Sequence, residues 1–224
     1  MEIIHSLIDF ILHIDKHLAE ITSQYQGWTY LILFVIIFAE TGFVVTPFLP
    51  GDSLLFAAGA LIAGGASGLD IHLLAVILIV AAFAGNTVNY MLGSYLGPMV
   101  FKEKNKILKL SYYTQTKAFF DKHGGKAVIF SRFMPIIRTI APFVAGVGRM
   151  PIGRYSLYNI IGGVSWIVLF LYGGYLFGNV PFFKKNFSLV AIGIVLLSIL
   201  PPIFAFVKSR ISKSKQTAKR SLFH

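Results

Sequence analysis

Two apolar stretches, each interrupted by proline, glycine and charge, decide the fold of this chain. Residues 40–65 read ETGFVVTPFLPGDSLLFAAGALIAGG, and residues 130–148 read FSRFMPIIRTIAPFVAGVG. Proline removes a backbone donor and glycine weakens a helix interior, so neither stretch suits one straight membrane-spanning helix. Irregular backbone at membrane depth must be buried in protein or line a cavity. Both stretches are therefore predicted to be re-entrant hairpins in an all-α polytopic membrane protein.

The composition around these stretches excludes a water-soluble globule. Of the 224 residues, 56% are hydrophobic and 13% are charged, and the mean hydropathy is +0.74; soluble domains average about 25% charged residues. No Lys or Arg lies between Lys16 and Lys102. The net charge of +11 is concentrated in loops and a tail, which indicates a membrane surface rather than nucleic acid as the partner. The chain has no cysteine, which excludes disulfides and thiolate chemistry.

The apolar runs divide the chain into three parts. Residues 1–26 have apolar positions at helical spacing and predict an amphipathic N-terminal helix that lies on the cytoplasmic surface or packs on the bundle. Residues 208–224 are a basic cytoplasmic tail by the positive-inside rule, and the same topology puts the N-terminus in the cytoplasm. Between them we expect a single membrane domain at 27–207, with a first repeat at about 28–100, a cytoplasmic loop at 101–126, a second repeat at about 127–180 and a last span at 187–207.

The two hairpins resemble each other in sequence. A Phe-x-Pro step opens both, at Phe48–Pro50 before Asp52 and at Phe133–Pro135 before Arg138. The predicted topology inserts them from opposite faces, so the repeats are expected to be inverted, as around the central site of many transporters. A membrane span is predicted after each hairpin, at His72–Gly97 and at Tyr155–Gly178. Both spans contain a GxxxG pair, which permits close helix packing and is compatible with a homodimer; these are Gly93/Gly97 and Gly174/Gly178.

Four ionisable residues lie inside or at the ends of the hairpins. The first hairpin carries the acids Glu40 and Asp52, and the second carries the bases Arg132 and Arg138. A charge at mid-bilayer costs about 2.5–3.5 kcal/mol on insertion scales, so such groups persist when paired, hydrated or functional. We expect two ion pairs across the bundle. Arginine favours bidentate recognition of carboxylate or phosphate, and the proton affinity of a buried carboxyl depends on its partner.

Two further motifs do not support an enzyme or a metal site. Gly51-Asp52-Ser53-Leu54 matches the opening block of GDSL esterases, but no suitably placed histidine and orienting acid follow to activate the serine. Asp9, His13 and His17 share one helical face that is typical of a solvated surface more than of a metal site. We therefore expect no catalytic residue, no metal and no cofactor.

Several of these motifs together resemble the DedA family, also called SNARE-associated or VTT-domain proteins, of the bacterial inner membrane. The resemblance rests on Glu40–Gly42, Pro47–Asp52 and Phe130–Arg138, and it extends over about residues 5–205. The blocks at 9–15 and 46–55 are especially similar to the family's founding member. The resemblance implies opposed re-entrant hairpins, and it implies that Glu40, Asp52, Arg132 and Arg138 are essential.

The same resemblance implies a role in envelope homeostasis and, for some members, the return of undecaprenyl phosphate across the inner membrane. We therefore expect a proton-linked flippase that moves this lipid or a related anionic lipid inward. Arg132 and Arg138 would bind substrate and Glu40 and Asp52 would carry protons, while the hairpins would be broken at Pro47, Pro50, Gly51 and Pro135. Three alternatives remain: a phospholipid scramblase, a proton-coupled ion or drug antiporter, and a non-transporting envelope scaffold.

Overall fold

The computed structural model describes residues 27–43, 51–65, 67–96 and 122–181, together with residues 18, 20, 22, 24, 25, 114, 117, 118, 120, 189, 190 and 193. Pro47 and Pro50 lie outside the described residues. The structure also leaves out residues 1–17, residues 97–113 at the end of the expected first repeat and in the first part of the expected loop, most of the expected last span and the tail at 208–224. Residues 18, 20, 22, 24 and 25, which fall within the expected amphipathic helix, are helical.

The described part of the chain is all-helical and contains no strand. Its helices are α1 (Trp28–Gly42), α2 (Gly51–Ala63), α3 (Ile71–Leu96), α4 (Ala127–Ser131), α5 (Pro135–Val147), α6 (Ile152–Ile167) and α7 (Gly173–Phe177). A single wide π-helical turn, Val168–Tyr172, joins α6 to α7. Together these form one continuous helix over Ile152–Phe177, which we call the α6–α7 helix.

The helices fall into two length classes. The α3 helix and the α6–α7 helix have 26 residues each and are apolar enough to cross a membrane; at 1.5 Å per residue each is about 39 Å long. The α1 helix has 15 residues, and α2 and α5 have 13 each, which corresponds to about 20–22 Å. The short helices are thus shorter than the hydrocarbon core of about 30 Å.

The long helices expose apolar side chains and bury polar ones. Val76 and Val80 on α3, and Leu157 on α6, are each about half exposed. In contrast, Asn89 of α3 and Asn159 of α6 have no exposed surface. An apolar exterior around a polar interior is the arrangement expected where lipid replaces water as the solvent.

The second apolar stretch is broken at the step before Pro135. A residue that precedes proline disfavours helical dihedrals, and Met134 is extended with φ −127° and ψ 101°. The chain before it tightens into a turn, because the backbone N–H groups of Arg132, Phe133 and Met134 donate to carbonyls three residues earlier. The break separates α4 from α5 and leaves Arg132 in the turn between them.

Glycine lets α2 cross the α6–α7 helix at backbone contact. A Cβ at Gly59 of α2 would overlap the carbonyl oxygen of Leu171, and a Cβ at Gly174 would overlap that of Phe56. Gly178 lies against Ala60 in the same way. Each helix therefore contributes glycine to the crossing, and any larger residue would force the two backbones apart.

A second crossing, between α5 and α3, is built from the same elements. A Cβ at Gly146 of α5 would overlap the carbonyl oxygen of Tyr90, and a Cβ at Gly93 of α3 would overlap that of Phe143. In both crossings the short helix uses a Phe-x-x-Gly step against a glycine of a long helix. Gly93 and Gly174, expected to allow close packing, do so within the chain.

Candidate functional site

Three of the four predicted charged residues form one buried ion cluster. Arg138, in α5, donates from Nη1 to Asp52 Oδ1 at 2.6 Å and from Nη2 to Glu40 Oε1. Glu40 lies near the end of α1 and Asp52 near the start of α2. Glu40 is fully buried, while Arg138 is 4% exposed and Asp52 8%. One guanidinium group therefore links the helices on either side of residues 44–50.

Trp166 of α6 connects this cluster to the other arginine. Its indole Nε1 donates to Asp52 Oδ1 at 2.8 Å, the same oxygen that Arg138 contacts. The guanidinium carbons of Arg138 and Arg132 lie 5.1 Å and 5.9 Å from the centre of the indole ring. Both distances are within the range of cation–π attraction. Trp166 has no exposed surface, so both guanidinium groups lie against the same buried indole ring.

Arg132 is equally buried but is held by neutral oxygens. Its Nη2 donates to Asn159 Oδ1 at 2.6 Å and lies 3.4 Å from the backbone oxygens of Ala82 and Asn159. The side-chain amide of Asn86 satisfies both of its atoms when Nδ2 donates to the Thr41 carbonyl at 3.1 Å and Oδ1 accepts from Arg132 Nη2 at 3.0 Å. Arg132 makes no ion pair with the described residues.

Asn89 of α3 fixes the backbone next to both ends of the Glu40–Arg138 pair. Its Nδ2 donates to the carbonyl of Thr139 at 2.8 Å and to that of Thr41 at 3.3 Å. Thr41 follows Glu40 and Thr139 follows Arg138 in the chain. This single amide therefore bridges α1 and α5 at the level of the ion pair.

Gly51, the first residue of α2, lies directly against the Glu40 carboxylate. A Cβ at this position would overlap Glu40 Oε2, so the buried carboxylate occupies space that a larger residue at position 51 would need. Pro135, another of the expected hairpin-breaking residues, is the first residue of α5. Proline suits that position because the first residues of a helix have no intrahelical partner for their N–H groups.

The structure has two ion pairs between the acids of the first stretch and the bases of the second, as expected, but Arg138 makes both of them. Arg138 takes both acids, and Arg132 contacts asparagines instead. The acids of α1 and α2 both reach Arg138, whereas Arg132 sits in the turn before α5 and points towards α3 and α6. The sequence located all four charges in the buried interior but could not assign their partners.

Sequence reasoning missed Trp166 and Asn159 as members of the site. Both lie within a run that otherwise reads as an ordinary apolar span. A single asparagine in the interior of such a run was the available signal, since a polar side chain inside a membrane requires a partner. Nothing in the local sequence distinguishes Trp166 from a lipid-facing tryptophan.

In the described part of the chain, no group of three or more His, Asp or Glu side chains is placed to hold a metal ion. Asp9, His13 and His17 lie outside the described residues, so the structure does not bear on that face.

These features define an all-helical membrane protein whose interior holds a buried cluster of opposite charges. Comparison with known proteins specifies the class further, since a VTT domain model matches residues 49–176. Protein DedA of Escherichia coli K12 is 49% identical over 94% of this chain and 96% of its own length. The chain belongs to the DedA family.

Other relatives are more distant. Inner membrane protein YqjA of Escherichia coli K12 is 34% identical over 83% of this chain and 84% of its own length. An uncharacterized membrane protein of Mycobacterium leprae, ML0287, is 40% identical over 84% of this chain and 83% of its own length. No solved structure gives a significant match.

Proposed function

We propose that this protein is a proton-linked transporter of the bacterial inner membrane that moves undecaprenyl phosphate or a related anionic lipid and so supports envelope homeostasis. The observation that carries the proposal is the buried set of two arginines and two carboxylates around Trp166. Ionisable groups inside a membrane mark substrate and proton pathways, and arginine suits phosphate geometry. The name of the relative YqjA supports the inner-membrane location.

In this proposal the arginines bind the phosphate and the carboxylates of Glu40 and Asp52 carry protons. When all four groups are ionised, their charges sum to zero. Protonation of one carboxylate leaves an excess positive charge, which an anionic headgroup would compensate. Proton uptake and anion uptake therefore favour each other, and thermodynamic linkage makes the coupling reciprocal.

The proposed topology has two re-entrant hairpins in inverted repeats, with both chain termini in the cytoplasm. Two observations support it. The α2 and α5 helices are too short to span a bilayer core at about 20 Å each. Each also crosses the long helix of the other half through the same arrangement of glycine and carbonyl.

Lipid translocation in proteoliposomes tests the proposal. A short-chain polyprenyl phosphate is compared with a phospholipid, with and without a pH gradient. We expect the native protein to move the phosphate lipid selectively and in response to the gradient. Arg132→Ala and Arg138→Ala should each abolish this movement. Arg154→Ala, which changes an exposed arginine, is the matched control and should retain it.

The alternatives predict different results in the same assay. Equal movement of both lipids would indicate a phospholipid scramblase. No movement of either lipid by folded protein would favour the ion or drug antiporter or the scaffold. Complementation by Glu40→Gln or Asp52→Asn would then favour the scaffold, because a structural partner does not need ionisable side chains at these positions.

A further inference from the structure

Arg132 is a buried cation with unused hydrogen-bonding capacity. It is 1% exposed, and its Nε and Nη1 have no hydrogen-bond partner among the residues that the structure describes. A buried charge is costly unless it is paired. The two carboxylates nearby do not supply that pairing, since both contact Arg138.

Two asparagines hold the guanidinium group without neutralising it. Asn159 Nδ2 donates to the Phe83 carbonyl at 3.2 Å, which directs its oxygen to Arg132 Nη2 at 2.6 Å. The Asn86 amide has two orientations. In one, its Nδ2 donates to the same Asn159 oxygen at 3.1 Å; in the other, which satisfies both of its atoms, its Nδ2 donates to the Thr41 carbonyl and its oxygen lies 3.0 Å from Arg132 Nη2. Asn159 is thus anchored by its nitrogen on backbone with its oxygen on the arginine, and the second orientation of Asn86 gives it the same arrangement.

Two glycines of α6, Gly162 and Gly163, lie directly against the Arg132 side chain. A Cβ at Gly162 would lie 3.2 Å from Arg132 Nε, and one at Gly163 would lie 3.6 Å from Cζ. The first of these distances is tight for a Cβ contact, so a side chain at Gly162 would push against Arg132 and shift it by a few tenths of an ångström. Arg132 is consequently fixed on three sides by neutral groups.

We propose that Asn159, with Asn86, is a positioning residue that fixes Arg132 through neutral oxygens and so keeps its charge available for a phosphate monoester. The inference rests on the proposed function, which assigns phosphate binding to the arginines and a lipid headgroup as the source of the phosphate. It divides the two arginines: Arg132 provides the standing anion site, while Arg138 becomes available only when its carboxylates release it.

The test is an isosteric charge change next to Arg132. Asn159→Asp places a carboxylate where the amide oxygen now contacts Nη2, so Arg132 gains a permanent counter-ion. If Arg132 served only the fold, this ion pair would leave phosphate-lipid binding unchanged. Asn179→Asp is the matched control, because Asn179 is exposed and bonds the Ala63 carbonyl far from the arginines.

Binding is measured with geranylgeranyl phosphate, geranylgeraniol and inorganic phosphate. Trp166 is the reporter through its fluorescence in a Trp28→Phe background, since Trp28 and Trp166 are the two tryptophans of the chain. We expect the native background to prefer the phosphate lipid to the alcohol. Asn159→Asp should weaken phosphate-lipid binding at least about tenfold and leave the alcohol unaffected, whereas Asn179→Asp should change neither. Saturation by inorganic phosphate alone would assign the site to free phosphate instead of lipid.

A second variant keeps the test decisive if Asn159→Asp fails to fold. Asn159→Ser removes the oxygen that contacts Nη2 and adds no charge. It should raise the half-saturating concentration of phosphate lipid by about three- to tenfold, as expected for loss of a hydrogen bond to a charged group.

The outcomes separate this inference from the proposed function. Unchanged phosphate-lipid affinity in both Asn159 variants would overturn the inference while leaving transport by the native protein intact. Native protein that binds the phosphate lipid, loses it in Asn159→Asp and yet moves no lipid would uphold the site and overturn the transport function. Native protein that binds no phosphate at all would overturn the inference directly.

Discussion

Arg138 and Arg132 come from the same short stretch of chain, are both buried and contact the same indole, yet their surroundings are opposite. Arg138 is bound by two carboxylates, and Arg132 is bound by two asparagine oxygens and backbone. In the first arrangement, ion pairs join three helices and leave the arginine paired with both acids. The second fixes a cation without cancelling its charge. The comparison indicates that identical residue types in one cluster serve different purposes, which mutation can separate.

The largest expected difference comes from replacing each arginine by methionine, which roughly preserves length. Arg138→Met leaves two carboxylates buried without their cation, and loss of one partner from a buried ion pair typically costs about 3–5 kcal/mol. Arg132→Met removes a cation whose partners are neutral, so its cost should be smaller by about 2 kcal/mol or more. Thermal unfolding of both variants in nanodiscs measures this difference. Equal destabilisation would refute the division between the two arginines.

Removing the indole N–H should affect the Arg138 side only. Trp166→Phe keeps an aromatic face but deletes the donor to Asp52 Oδ1, and a hydrogen bond to a charged group is worth about 1.5–3 kcal/mol. A double-mutant cycle with Asp52→Ala, which removes the acceptor, should recover most of this energy as a coupling term. The parallel cycle with Arg132→Met should give a clearly smaller coupling. Comparable couplings in both cycles would mean that Trp166 joins the two regions instead of serving one.

Gly51 offers a steric route into the carboxylate cluster. Gly51→Ala places a methyl group on Glu40 Oε2, and overpacking of this kind typically costs about 1–3 kcal/mol. Gly173→Ala is the control, since a Cβ there meets nothing within 4 Å. Thermal unfolding should show a lowered midpoint for the first variant alone. A neutral Gly51→Ala would show that Glu40 can move away from its position beside α2.

The smallest effect is expected beside Arg132. The Tyr155 hydroxyl donates to the backbone carbonyl of Asn86 at 2.8 Å, next to one of the amides that hold the arginine. Tyr155→Phe deletes that bond, which should cost about 0.5–1.5 kcal/mol. It should also weaken phosphate-lipid binding slightly without altering the Glu40–Arg138 pair. Phosphate affinity is measured as for the Asn159 variants, and an effect as large as theirs would mean that the backbone of α3, more than its amides, positions Arg132.

Much of the architecture followed from local sequence. The long apolar runs predicted α3 and the α6–α7 helix to within a few residues, because hydrophobic length over 26 residues leaves few other structures in a bilayer. Pro135 predicted the break that separates α4 from α5, since proline constrains the residue before it. The resemblance to the DedA family was confirmed by the VTT domain match. The hairpin topology and the roles of the four charged residues stay predictions.

The sequence by itself determined that Glu40, Asp52, Arg132 and Arg138 are charged groups in an apolar environment, because the cost of burying charge marks such residues wherever they occur. Only the tertiary structure decided their partners. Arg138 and its two acids are separated by 98 and 86 positions in the chain, so their contact depends on how α1, α2 and α5 pack. The same packing turns one face of α6 towards the interior and so places Asn159 and Trp166 beside the arginines. Which face of α6 points inward depends on contacts with distant parts of the chain, so the local sequence could not predict it.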